Sequence, residues 1–347
     1  MTVQVTYAGQ RTAAGVGMAS RTGALASFRT FAPTLLSTAV AGFMLMAASV
    51  SAADDLSSRY QDENGDLVAD LPADESEWVD PDTLVFAYTP VEDPAVYADV
   101  WAGFLEHMEE VTGKDVEFFP VQSNAAQVEA MRAGRLHVAG FNTGSNPLAV
   151  NCAGFVPFTM MAREDDSFGY EMEIITQPDS DIESPDDLEG RTLAFTSESS
   201  NSGFKAPSAL LQSEFDLEAG EDFDTEFSGK HDNSIMGVVN GDYEAAAIAN
   251  SVLKRMISRD VIGEDDYRSI YTSDTFPTTG YGHVYNLDPD VAEDVREAFE
   301  TFEWEGSALA EEFKNSGEAK FIPITYEEHW DVIRTIDEAN DVSYDCG

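Results

Sequence analysis

The chain has 347 residues, with 65 Asp or Glu against 19 Lys or Arg and a formal net charge of −46 at pH 7. A surface of that sign repels nucleic acid and anionic membranes, which excludes both as partners. Salt screens such self-repulsion, with a Debye length of about 3 Å at 1 M, and the acid excess over only six lysines indicates a salt-rich habitat.

The first 52 residues hold three arginines and no acidic residue. Met18 is a candidate true start: Arg21 and Arg29 precede the largely apolar run Phe31 to Ala48, and Val50-Ser51-Ala52 offers small residues for cleavage. The run carries Thr and Ser and is followed at once by Ala53-Asp54-Asp55. This predicts a cleaved signal peptide over 1–52 rather than a membrane anchor, and a mature chain in the periplasm. Cleavage leaves 295 residues (347 less 52) at a net charge of −49 (−46 less three arginines), enough for two domains. Residues 53–82 form an acidic leader without periodicity. Within it DENGDLVAD spaces Asp62, Asn64, Asp66 and Asp70 like part of a calcium loop. The closing Glu of such a loop is missing, and an acidic linker accounts for the same letters.

From Thr83 the pattern changes. LVFAY (84–88) reads as a strand, and Val96, Val100, Phe104 and Met108 recur every four residues in a helix from Ala95 to Val111. A strand over Asp115–Phe119, a helix over Gln122–Ala133 and a strand over 136–141 follow. This alternation predicts a largely parallel sheet with helices on both faces. A second unit repeats the design. Its strands are 171–176, Thr192–Phe195, Asp224–Phe227 and 243–249, with helices over Phe204–Phe215 and Asn233–Asn240. A strand at 281–285 and helices over Pro289–Phe302, Ala308–Asn315 and Tyr326–Ala339 close the chain. Crossings near 177 and 280 predict two α/β lobes with a cleft between them.

Ligands of such folds sit beyond the carboxyl ends of strands, at loops that open helices. ESSNSGFKAP (198–207) occupies such a place. Ser200, Asn201 and Ser202 surround a helix start, where unpaired N–H groups and the dipole attract an anion. One cap needs one such side chain; several in a row predict a site for a tetrahedral oxyanion. Two further openings match: PVQSNAAQ (120–127) with Ser123 and Asn124, and FNTGSNP (141–147) with Asn142, Thr143, Ser145 and Asn146. His231 precedes the helix at Asn233 and can donate to an anion, whose charge would favour the imidazolium. Lys205 and Lys230 read as solvated. Tyr281 near the second crossing is placed to line the cleft. No nucleophile elbow or paired carboxylate appears in these loops, so reversible binding without cofactor or metal is favoured over enzymatic chemistry. Cys152 and Cys346, an even pair in an exported chain, are expected to form one disulfide. The alternative is a free thiol for a soft ligand.

LVFAY (84–88), MRAGRLHVAGF (131–141), DLEGRTLAFT (187–196), SSNSGF (199–204), SGKHDNS (228–234) and NGDYEAAAIAN (240–250) together resemble the periplasmic phosphate/phosphite/phosphonate-binding components of ABC transporters. The resemblance covers roughly 83–340. It implies a two-lobed type II periplasmic binding protein that closes on its ligand, with 83–177 plus 281–347 as one lobe and 178–280 as the other. It assigns the family's ligand turn to Ser200, Asn201, Ser202 and Gly203, its histidine to His231, and two tyrosines of some members to Asn124 and Phe141. Carboxylates that hold the amine of aminoethylphosphonate in some members fall near Ser251 and Gly280, neither acidic. The implied ligand is therefore phosphite, phosphate or methylphosphonate, and the implied partner an ABC permease, with the chain acting as a monomer. Rival readings are an oxyanion sensor for a histidine kinase, binding arsenite through Cys152, and a two-lobed transferase.

Overall fold

The computed structural model describes residues 4–7 and 56–346. Apart from the strand at its start, the signal-peptide expectation lies outside the described residues. The elements are β1 (Gln4–Tyr7), β2 (Thr83–Tyr88), α1 (Ala98–Thr112), β3 (Asp115–Phe118), α2 (Asn124–Arg132), β4 (Val138–Phe141), α3 (Asn146–Ala153) and β5 (Phe155–Ala162). Next come β6 (Tyr170–Thr176), β7 (Thr192–Phe195), α4 (Ala206–Phe215), β8 (Asp224–Phe227), α5 (His231–Asn240), β9 (Ala245–Ala249), α6 (Asn250–Ser258) and β10 (Arg268–Phe276). The chain ends with β11 (Gly280–Val284), α7 (Pro289–Thr301), α8 (Ala308–Phe313), β12 (Lys320–Pro323), α9 (Tyr326–His329), α10 (Asp331–Ala339) and β13 (Val342–Asp345).

Local chemistry sets these bounds. Helix α1 buries Trp101, Phe104, Leu105 and Met108 along one stripe and stops at Gly113, whose φ of 67° suits glycine. Helix α7 opens on Pro289 behind Asp288, whose carboxylate accepts from the Asp290 and Val291 amides. In the leader, Asp62, Asn64, Asp66 and Asp70 accept from the amides of their own loop.

Beside a two-stranded pairing of β1 with β13, the two large sheets have the orders β12-β5-β11-β4-β2-β3 and β10-β6-β9-β7-β8. Each holds a parallel trio, β3-β2-β4 or β8-β7-β9, extended by antiparallel strands. The sheets are thus mixed, where the sequence pattern predicts largely parallel ones. Strands β5, β10 and β12 and helices α3 and α6 were not anticipated. Strand β6, placed in sequence before the crossing at 177, pairs instead with β9, Met172 facing Ala249. Residues 170–176 therefore belong to the five-stranded sheet. Strand alternation gives no information on which sheet a strand joins; partners 70 residues further on decide it.

Cys152 and Cys346 form a disulfide across a separation of 194 residues, with Cys152 wholly buried. Such a link removes loop entropy from the unfolded chain. Reduction is expected to lower stability by about 3 kcal/mol, read as a lower denaturant midpoint with reductant present. An unchanged midpoint would show that the C-terminal strand docks without it.

Candidate ligand cleft

The centre of the site is the chain after β7. Residues 201–205 form one wide helical turn, with the Lys205 amide bonded to the Ser200 carbonyl, that runs on into α4. Ser200 Oγ accepts from the Gly203 amide at 3.1 Å. Gly203 itself packs against the end of β7: a Cβ there would lie 1.9 Å from Thr196 Oγ1. Its backbone must pass where no side chain fits, so its role is to shape the turn and not to line the cleft.

His231 opens α5 and is buried. Its Nδ1 accepts from the Ala249 amide at 3.1 Å, so the proton of the neutral ring is on Nε2, 3.4 Å from Ser200 Oγ. Burial pushes its pKa down to about 4. The imidazolium expected beside a bound anion would need Nδ1 freed from the Ala249 contact. A proton on Nδ1 would confront the Ala249 N–H, so His231 is a neutral donor.

Two connected cavities lie between the sheets. The inner one, of ≈ 50 Å³, brings Ser200, Asn201, Ser202 and His231 from the five-stranded side to face Tyr88, Asn142, Thr143, Tyr281 and Glu318. The outer one, of ≈ 300 Å³, shares Val91, Asn142, Ser200 and His231 with it and adds Ser123, Asn124 and the 196–199 segment. Ser123 there caps α2 through the Ala126 amide. Asn124 binds across the cleft to Ser199 Oγ at 2.8 Å and accepts from Asn142 at 2.9 Å. Thr143 Oγ1 is spent on the Pro277 carbonyl at 2.7 Å. Tyr281 is fully buried, with its ring stacked on Tyr88 at 6.4 Å. Phe141 does not line the cleft. It is fully buried against Phe155, at 4.8 Å, in the core beside β4.

Contacts between the two sides are numerous. The His231 amide donates to the Val91 carbonyl at 3.2 Å, and a Cβ on Gly144 would lie 2.4 Å from Asn201 N and Ser199 O. Lys205, expected to be solvated, is 1% exposed; its Nζ donates to Gly144 O and to Asp337, both at 2.9 Å. Glu92, in the loop after β2, reaches Arg255 of α6 at 3.2 Å and Arg259, which caps α6, at 2.8 Å, and accepts from Tyr97 OH. Burial pushes the Glu92 carboxyl up, but Arg255 and Arg259 outweigh it and hold the group below its ordinary range. Glu312 completes this cluster through both arginines.

Sequence reasoning missed Tyr88, Tyr170, Ser251 as a lining residue, Arg255, Thr278, Thr279 and Glu318. Tyr88 ends a parallel strand, where the rule for ligand position could have found it. Arg255 sits within the buried stripe Val252, Leu253, Met256 of α6, and a cation on an apolar stripe is a legible signal. Glu318 has no local signal. It adds to the cleft a carboxylate that none of the candidate loops supplies.

Two lobes, each on its own sheet, with a donor-rich cavity between them, have the architecture of a two-lobed solute-binding protein. The family described as the periplasmic substrate-binding protein of a phosphonate ABC transporter matches residues 86–330, and the chain belongs to it. It is 27% identical over 269 residues to the phosphate-import protein PhnD of Mycolicibacterium smegmatis, covering 74% of this chain and 82% of that protein. In structure it is similar to a binding protein component of a phosphonate ABC transporter from Pseudomonas aeruginosa, with a TM-score of 0.66 at 20% identity over 76% of this chain and 87% of that one. PhnD1 from Prochlorococcus marinus, solved with methylphosphonate, is similar at a TM-score of 0.66 and 16% identity, covering 76% and 99%.

Proposed function

We propose that the protein binds a small phosphorus oxyanion, namely phosphite, phosphate or methylphosphonate, in the periplasm and presents it to an ABC permease. The observation that carries this reading is the convergence of Ser200, Asn201, Ser202 and the His231 Nε2–H on one cavity of ≈ 50 Å³. Donors without an unpaired cation suit a compact oxyanion held by hydrogen bonds, which strengthen where water is excluded. Similarity to a phosphate-import protein and to a fold solved with methylphosphonate supports the same ligand class. The lobes, divided near 163–169 and 277–279, part to admit ligand and close over it through the Asn124–Ser199 and Glu92–Arg255 contacts. Asn142 completes the binding set from the second side, while Ser123 and Thr143 support it through backbone contacts. With Cys152 in a buried disulfide, the arsenite reading has no thiol to use, and the relatives named above are transport proteins rather than transferases.

Calorimetric titration at high salt, on protein unfolded and refolded to strip carried-over ligand, tests the reading. The panel is phosphite, phosphate, methylphosphonate, aminoethylphosphonate, sulfate and arsenite. Tight binding of a phosphorus oxyanion, unaffected by reductant, is expected; silence across all phosphorus ligands would remove the oxyanion site and leave only the fold.

A further inference from the structure

Glu318 stands just after the Gly317 turn, 8% exposed, in the wall of the inner cavity. Its Oε2 is buried and has no hydrogen-bond partner among the described residues. A buried carboxylate oxygen without a donor is costly, and in a ligand cavity it marks a contact that the ligand completes.

The surrounding charges limit what that contact can be. Arg255 is the one Lys or Arg among the cavity-lining residues, and its guanidinium already serves Glu92 and Glu312. Arg259 shares the same two carboxylates, so that cluster is balanced before Glu318 is counted. Tyr88 and Tyr281, which flank Glu318, are kept protonated by burial, and His231 across the cavity is neutral. Arg163 lies behind the Gly317 backbone and donates to Gly169 O. No unpaired cation on the cavity wall offsets both Glu318 and a doubly charged ligand. An oxyanion bearing a hydrogen on one oxygen resolves both problems, since it brings less charge and offers Glu318 a donor.

We infer that Glu318 accepts a hydrogen bond from a proton carried by the bound oxyanion. The site therefore takes the P–OH form and rejects a tetrahedral dianion that has no proton. This rests on the phosphorus-oxyanion reading above. An aminoalkyl ligand could also supply a donor, but a cavity of ≈ 50 Å³ favours the compact ion.

The test is calorimetry of the whole chain with methylphosphonate above its second pKa, where the free dianion carries no P–OH, in two buffers of different ionisation enthalpy. Uptake of one proton per ligand is expected, with affinity falling about tenfold per pH unit. Sulfate, which has the same shape and no proton, should bind at least about 100-fold more weakly than phosphate. Glu318→Gln puts an amide N–H in the same place; it should lose the proton uptake and bind sulfate at least about tenfold more tightly than the parent. Methylphosphonate binding without proton uptake, with sulfate bound as well as phosphate, would overturn the role of Glu318 and leave the oxyanion reading intact. Aminoethylphosphonate binding more tightly than phosphate, with that advantage lost in Glu318→Gln, would replace the P–OH contact by an ammonium. Failure of every phosphorus oxyanion to bind would overturn the underlying reading and this inference with it. The proton count on the parent protein stands whether or not the variant folds.

Discussion

His231→Ala is expected to weaken phosphate or methylphosphonate binding by about 10- to 100-fold, the loss of one hydrogen bond to a charged group. The ring has two duties. Its Nδ1 accepts the Ala249 amide, and this fixes the proton on Nε2, beside Ser200 at the cavity. Alanine removes the donor and strands a buried amide, so some stability is lost as well. A circular dichroism melt would separate the two effects. Because the folded pKa is depressed to about 4, affinity should stay level between pH 6.5 and 5, where an ordinary histidine would charge and tighten its hold on an anion. The same depression makes the fold sensitive to acid. Below about pH 6.5 the unfolded chain takes up a proton that folded His231 refuses until about pH 4, so stability is complete above that window and is lost through it. His283, also lowered to about 4 by burial, adds to the loss. Each contributes about 3 kcal/mol by pH 4, measurable as a falling denaturant midpoint. An affinity that rises with acid over this range, or a folded His231→Ala protein with parental affinity, would remove His231 from the site.

The donor-rich wall of the inner cavity was legible because it is local. Ser200, Asn201, Ser202 and His231 are written in short donor-rich stretches at strand ends, and the fold delivers them to one cavity. The alternating pattern of strands and helices likewise gave the parallel trios. Contacts set by distant chain were not legible. Lys205 looks solvated in ESSNSGFKAP, yet its partner Asp337 lies 132 residues further on. Strand β6 opens the second unit by its pattern but falls in the first lobe by the crossing near 177, and only its register with β9 decides between them. Phe141 aligns with a ligand tyrosine but has Phe155 to pack against, and an apolar ring beside a second ring is drawn into the core. Glu318 has no polar neighbours in sequence that point to a site; only its place in the closed cavity, unpaired, gives it meaning.

Glu92→Ala is expected to weaken ligand binding by about 100-fold or more, although Glu92 is not among the residues that line the inner cavity. The carboxylate comes from the loop after β2, on the six-stranded side, and Arg255 and Arg259 come from α6 and its C-terminal cap on the other. Removing one partner of a buried ion pair leaves charge uncompensated and costs about 3–5 kcal/mol. Here two guanidiniums would be left with Glu312 alone. When the lobes part, water solvates the arginines, and the loss no longer matters. The penalty therefore falls on the closed state, and a ligand that needs closure must supply that energy from its own binding. Glu92→Ala combined with Arg255→Met should recover much of the affinity, since the second change removes the stranded charge. The melting temperature measured without ligand should move much less than the affinity does. A large fall in that temperature with affinity intact would place the cluster in the folding of a lobe and not in closure. Recovery in the double variant is the sharper result, because simple damage to either lobe would make the two substitutions add.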